Sequence, residues 1–212
     1  MVKVVIPFKP QNPKSRLSDI LSLQERSRLV ELMLQDVIET SKLCSDDVMV
    51  LATEVGDLNC DCAVKEDPRD LNEAVNSVIQ EFLGEGGAPG GEVAIVMSDL
   101  PLLTPGTLKE FLDCGGDIVI APGRRGGTNL LLVRDGRYRV SYHHGSFHRH
   151  IQTAEELGIR AEVFDSFYAS TDIDDGDDLL ELMLHGKGRA KDFLLSIGFG
   201  VDTSSPEPVL RR

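Results

Sequence analysis

Apolar positions along the chain alternate between two rhythms. Val2 to Ile6 is a short β-branched run closed by Pro7, which predicts a buried first strand. From Leu23 to Ser41 the positions Val30, Met33, Leu34, Val37 and Ile38 keep helical spacing, and Asp47 to Ala52 is strand-like again. Leu71, Ala74, Val75, Val78, Ile79 and Phe82 recur at i, i+3, i+4, i+7, i+8 and i+11, an amphipathic helix. Val93 to Met97 predicts a strand, and Thr104-Pro105 supplies the N-cap and first-turn proline of a helix ending near Gly115. Asp117 to Ala121 and Asn129 to Val133 read as strands flanking a Gly-Arg-Arg-Gly-Gly turn. Ser146 reads as the N-cap of another helix, Ala161 to Phe164 as a strand, and Asp175 to Leu184 as the closing helix.

Strands alternating with crossover-length helices imply an α/β fold, a mainly parallel sheet flanked by helices on both faces. No repeat or interior break divides the chain, so residues 1–201 are expected to form a single domain. The tail over 202–212, with two prolines and a terminal arginine pair, is expected to be loose. The glycine-rich stretch from Gly84 to Gly91 reads as a flexible connection. Ligands of open α/β sheets gather where the strands end, which directs attention to the loops after Ile6, Met97 and Ala121.

Composition narrows the function classes. Of 212 residues, 41% are hydrophobic, too many for a disordered acidic chain, and no apolar stretch approaches a membrane span. Lys and Arg number 22 against 35 Asp and Glu, a net charge of −13, which argues against coating nucleic acid. The N-terminal apolar run is too brief for a secretory signal, and Cys44, Cys60, Cys62 and Cys114 form no C-x-x-C pair. A cytoplasmic protein without membrane or nucleic-acid partners is the expectation.

The charge is unevenly distributed. Residues 1–18 carry Lys3, Lys9, Lys14 and Arg16 and no acid. A cationic loop between a strand and a helix suits a polyphosphate, with Lys14 as a mobile charge and Arg16 as a planar fork; in isolation it reads equally well as a solvated loop. No P-loop or Rossmann glycine pattern follows the first strand. Asp99, in Ser98-Asp99-Leu100-Pro101, lies just past a hydrophobic strand, where carboxylates can hold nucleotide-bound Mg²⁺; in isolation it reads more readily as a turn or N-cap Asp. Between 172 and 178 five positions are Asp; in extended chain Asp172 and Asp174 share a face and can share a divalent ion. Asp175, Asp177 and Asp178 suit a helix start without any ligand role. Gly126-Gly127-Thr128-Asn129, preceded by Arg124 and Arg125, offers close backbone approach and a hydroxyl to an anion, or an ordinary hairpin turn. His143, His144, His148 and His150 lack the spacing and cysteine partners of a metal site, whereas the helix opening at Ser146 can take a phosphate or carboxylate. Basic loop, strand-end Asp and late Asp pair together suit a metal-assisted nucleotidyl transfer.

In this order the segments resemble the 2-phospho-L-lactate guanylyltransferase family of deazaflavin coenzyme biosynthesis. The match rests on Pro7, Lys9, Lys14-Ser15-Arg16-Leu17, Glu25-Arg26, Leu71-Asn72-Glu73-Ala74, Asp99-Leu100-Pro101, Gly126-Gly127-Thr128-Asn129, Gly145-Ser146-Phe147 with His150, and Asp172-Ile173-Asp174. The resemblance implies a nucleotidyltransferase fold related to glycosyltransferase-A domains, Mg²⁺ as cofactor and a homodimer. The implied reaction joins GTP to 2-phospho-L-lactate, or to phosphoenolpyruvate as in bacterial relatives, with release of pyrophosphate. By the same carry-over Pro7, Lys9, Lys14, Arg16 and Asn72 fall on the nucleotide side, with Lys14, Arg16 and Asp99 catalytic. Asp99, Asp172 and Asp174 match metal-binding aspartates, and Thr128, His143 and Ser146 the acceptor side. His143 departs from the pattern, standing where the family usually has Gly. Other small-molecule nucleotidyltransferases, acting on sugar phosphates or molybdopterin, and a noncatalytic nucleotide sensor on the same fold are the alternatives. The first usually carry a glycine-rich first loop, and Pro7 to Arg16 has no Gly.

Overall fold

The computed structural model describes residues 2–11, 14–56, 58, 60–84, 91–204 and 206–212. Seven strands form one sheet: β1 (Val2–Phe8), β2 (Asp47–Ala52), β3 (Ala63–Glu66), β4 (Glu92–Val96), β5 (Ile118–Pro122), β6 (Thr128–Val133) and β7 (Ala161–Val163). Their spatial order is β3-β2-β1-β4-β6-β5-β7. β6 runs antiparallel to β4 and β5, and the other pairings are parallel.

The interiors of the central strands β1, β4 and β6 are apolar on both faces because both faces are covered. Val4, Ile6, Ala94, Val96, Leu130 and Leu132 face one core, beneath α1 (Leu23–Lys42) and α3 (Pro105–Leu112). Val5, Val93, Ile95, Leu131 and Val133 alternate onto the other, beneath α2 (Leu71–Leu83) and α4 (Ser146–Leu157). Helix α1 opens with a reciprocal cap between Ser22 and Glu25. Pro7 lies within β1 instead of closing it. Pairing with β4 stops at Val5↔Ile95, so the missing N–H falls where β1 keeps one neighbour, β2.

Three expectations change. The helix α6 (Gly176–His185) does not close the chain, for α7 (Arg189–Ser196) follows it; a short α5 (Phe167–Ser170) precedes it. The tail expected to be loose pairs as a hairpin of β8 (Gly200–Asp202) and β9 (Val209–Arg211), and Arg212 lies 5.1 Å over the Phe199 ring and donates to the Ile20 carbonyl. Gly145, at φ 71°, is the N-cap of α4, and Ser146 is its first helical residue. The glycine-rich stretch 85–90 lies outside the described residues. No helix among the described residues is long and apolar enough to cross a membrane.

Candidate active site

The loops at the carboxyl ends of β1 and β4, the start of antiparallel β6 and the segment before α6 converge at one end of the central strands. Met97 N–H donates to Asn129 O at 3.0 Å, and Ile173 N–H donates to Asp99 O at 3.1 Å. The second bond sets residues 172 and 174 on either side of a residue anchored at Asp99. One carboxylate oxygen from each of Asp99, Asp172 and Asp174 then lies within 4.8 Å of the others.

Lys14 reaches into this group. Its Nζ donates to Asp99 Oδ2 at 2.5 Å and to Asp174 Oδ1 at 2.7 Å, and Arg16 Nη1 adds a contact of 3.3 Å to Asp174 Oδ2. Burial alone would lower the Lys14 pKa, but the two carboxylates outweigh it and raise it, so the ammonium stays charged. Arg26, buried in α1, donates to the Lys14 carbonyl at 3.4 Å and supports the loop from below. The Asp172 carboxyl is pushed up to about 6, first by burial and then by the Asp99 charge, while the Asn129 amide, 3.3 Å from its Oδ1, pulls the other way.

Beside the aspartates lies a cavity of about 440 Å³, bordered by Arg16, Arg124, Arg125, Tyr142, His143 and Gly145 among others. Arg124 contacts Asp178 at 3.4 Å, and Arg125 pairs with Asp175. Lys14 at φ 47° and Arg125 at φ 68° are the non-glycine residues with positive φ among those described, and each presents a cation to the acidic run. Left-handed backbone costs about 1–2 kcal/mol for a residue with a Cβ and is retained where the position of the side chain matters. Helix α4 starts beside this cavity, at Gly145, with no side chain capping its first turn.

Comparison with known proteins bears on what such a site does. The family model described as Guanylyl transferase CofC like matches residues 2–211. The chain belongs to this family. It is 48% identical to the 2-phospho-L-lactate guanylyltransferase of Archaeoglobus fulgidus over 212 residues, covering all of this chain and 98% of that one. Identity to the same-named protein of Ferroglobus placidus is 49%, covering both chains in full, and to that of Methanosarcina mazei 45%, covering 92% of each. Among solved structures, one assigned to a nucleotide-diphospho-sugar transferase from Desulfovibrio desulfuricans G20 shares the fold at TM-score 0.77 with 15% identity, over 92% of this chain and 94% of that one. A nucleotidyl transferase from Methanothermobacter aligns at TM-score 0.58 with 14% identity, over 92% and 99%. The fold is that of nucleotidyltransferases, and the chain is a guanylyltransferase-family enzyme.

Against this family background the expected residues divide by surroundings. Lys14, Arg16, Asp99, Asp172 and Asp174 come together. Pro7 is buried in β1, and Lys9 is exposed just past its end. Asn72 does not face the aspartates: its Oδ1 accepts from Tyr142 N–H at 2.5 Å and its Nδ2 lies 3.4 Å from His143 Nε2, tying α2 to the loop before α4. His143 is exposed and keeps negative φ, so a side chain is accommodated where the family pattern has Gly. Thr128 and Ser146 are buried just behind the cavity wall, between Gly127 and Gly145.

Two contributors show their role only in three dimensions. Asn129, quoted with Thr128 but given no role of its own, spans Asp172 and the Ala169 carbonyl, and Gly123 leaves no room for a Cβ against Asn129 Oδ1. Asp178 closes the α6 cap with Asp175, consistent with a helix-start role for both.

The donor set suits a hard divalent ion. One carboxylate oxygen from each of three aspartates, all within 4.8 Å of one another, is a set of hard oxygen donors of the kind Mg²⁺ takes. Burial first, and the Asp99 charge after it, raise the Asp172 pKa, and a bound cation would offset both.

Proposed function

We propose that the chain transfers a guanylyl group from GTP to 2-phospho-L-lactate, forming lactyl-2-diphospho-5′-guanosine and pyrophosphate, with Mg²⁺. The observation that carries this reading is the convergence of the Lys14–Arg16 loop with Asp99, Asp172 and Asp174 beside a cation-lined cavity. An oxygen of the acceptor phosphate attacks the α-phosphorus, the bond from that phosphorus to the bridging oxygen of the β-phosphate breaks, and pyrophosphate leaves with the electron pair.

Asp99, Asp172 and Asp174 would hold Mg²⁺, whose chemistry is to neutralise the triphosphate and favour the leaving group. Lys14 and Arg16 steady the nucleotide phosphates, with Pro7 and Lys9 shaping the approach and Asn72 bracing the facing loop. On the acceptor side the α4 N-terminus, Thr128 and Ser146 receive an anionic group, His143 borders the opening, and Arg124 and Arg125 balance the acceptor's several negative charges. Phosphoenolpyruvate presents the same phosphate and carboxylate and is the competing acceptor. A homodimer in the cytoplasm completes the reading, and light scattering on the purified chain tests the assembly.

The test incubates the protein with Mg²⁺, each of the four nucleoside triphosphates, and 2-phospholactate, phosphoenolpyruvate or a sugar phosphate. Pyrophosphate release is expected with GTP and one of the two phosphorylated acids. Release only with the sugar phosphate would assign the site to another nucleotidyltransferase. Release in no combination would leave a nucleotide-sensing module.

A further inference from the structure

His150 is fully buried in α4, and its two ring nitrogens have different partners. Ser141 N–H donates to Nε2 at 3.0 Å, and a backbone amide can only donate. Nε2 is therefore unprotonated, which places the proton of the neutral ring on Nδ1. Burial holds the ring neutral, with its pKa lowered to about 4. Thr128 Oγ1, 2.9 Å from Nδ1, must then be the acceptor of that contact.

The Thr128 hydroxyl also accepts from Ser146 Oγ at 3.1 Å. Both of its lone pairs are then engaged, and its own hydrogen must find an acceptor elsewhere. Among the described residues that hydroxyl donates no hydrogen bond of its own: its contacts are the Nδ1–H of His150 and the hydroxyl donated by Ser146. Thr128 follows Gly127 and Ser146 follows Gly145, and both glycines border the cavity. Turning the ring over would break the contacts at both nitrogens. Tyr142 packs edge-on against it at 5.0 Å between centroids, and the Tyr138 hydroxyl donates to the His150 carbonyl at 3.0 Å.

We propose that His150 is a positioning residue: protonated at Nδ1, it forces the Thr128 hydroxyl to donate into the cavity, toward an anionic oxygen of the acceptor. The inference rests on the acceptor-side reading above and names what orients that side. In water a threonine hydroxyl rotates among donors and acceptors. Here the histidine removes that freedom before the substrate arrives, so no reorientation is needed on binding. The second acceptance from Ser146 strengthens the polarity of the same hydroxyl.

Two conservative variants separate this role from plain core packing. Asn places an amide where Nδ1 was, so His150→Asn keeps a donor for Thr128. Gln places its amide near Nε2, so His150→Gln keeps the partner of Ser141 and loses that donor. His150→Gln and Thr128→Val are expected to raise the acceptor KM about ten- to hundredfold, the loss of one hydrogen bond to a charged group, with the GTP KM within about threefold of wild type. His150→Asn should stay within about threefold for both substrates, and the double variant His150→Gln/Thr128→Val should be no worse than Thr128→Val alone. A packing role predicts instead that both His150 variants damage both KM values alike, and that result, or a wild-type acceptor KM in Thr128→Val, overturns the proposal.

A second readout does not depend on turnover. Long-range ¹H–¹⁵N correlation on histidine-labelled wild-type protein should show one neutral histidine protonated at Nδ1 down to about pH 5, absent in His150→Gln. An Nε2–H tautomer overturns the inference whether or not pyrophosphate is released, whereas failure of the wild-type assay with every acceptor counts against the proposed reaction itself.

Discussion

Lys14 Nζ lies 2.5 Å from Asp99 Oδ2, across 85 residues of sequence, and the same nitrogen lies 2.7 Å from Asp174 Oδ1, across 160. One ammonium thus holds the first loop of the chain to two acidic segments that would otherwise repel. In the proposed reaction it stands where the nucleotide phosphates and the aspartates meet.

Replacing it should expose both of its roles. Lys14→Met leaves three close carboxylates without their main counter-charge, so the protein should lose stability without added cations and regain it with Mg²⁺. The expected outcome is a larger Mg²⁺-induced rise in melting temperature than in wild type, together with a GTP KM raised about tenfold or more. An unchanged response to Mg²⁺ would separate Lys14 from the carboxylate group.

Asp174→Asn should spare the fold and remove the activity. Asp174 is partly exposed, and the cap of α6 is built by Asp175 and Asp178 instead. Pyrophosphate release should fall by about a hundredfold or more, through loss of one charge from the proposed ion site. Turnover near that of wild type removes Asp174 from the ligand set.

The orientation of Asp172 gives a paired test. Asn129 holds it, and Gly123 leaves the room Asn129 occupies. Gly123→Ala should therefore reproduce the Asn129→Ala defect in turnover, because the added Cβ displaces the same amide. A stability loss of about 1–3 kcal/mol is expected for Asn129→Ala, whose buried partner, the Ala169 carbonyl, is left unsatisfied. Chemical denaturation and steady-state rates measure the two effects separately.

These residues mark how far the sequence was readable. Strands β1, β2, β4, β5 and β6 and helices α1 and α2 announce themselves because the core imposes a period on each. β3 is four residues, Ala63-Val64-Lys65-Glu66, too short to show alternation. Helix α7 has no local start signal. Its first amides, at Arg189 and Ala190, are capped by the Asp36 carboxylate, more than 150 positions earlier in the chain. The β8–β9 hairpin is equally nonlocal in support, since Arg212 anchors it to Ile20 and Glu25. The gathering of Lys14 with the aspartates was legible through charge segregation. His150 stands in the segment that carries the family resemblance, but its role was not legible, because burial separates it from exposed His143, His144 and His148, and no spacing shows burial.

Burial of His150 also sets a pH dependence. Its folded pKa of about 4 lies below the unfolded value of 6.5, so between these values the unfolded chain binds the extra proton. Stability from this group is fully present above about pH 6.5 and is lost as pH falls toward 4. The total is on the order of 3 kcal/mol. His150→Asn does not titrate, so the stability difference between wild type and this variant should shrink, or reverse, from pH 7 to pH 4.5. A difference that is constant over that range removes the buried neutral ring from the account.

Arg125 offers a case in which stability and function should part. Its left-handed backbone, at φ 68°, costs about 1–2 kcal/mol, and glycine would abolish that cost. Glycine also surrenders conformational entropy of about 0.5–1 kcal/mol, and the Asp175 pair on this exposed side chain is screened by solvent and adds little. These contributions nearly cancel, so Arg125→Gly should unfold within about 1 kcal/mol of wild type. The cavity, however, loses one of three bordering guanidinium groups. If the strain is retained to place that charge, the acceptor KM should rise about tenfold while the GTP KM holds. Equal KM values for both substrates in variant and wild type would show that Arg125 serves the turn alone.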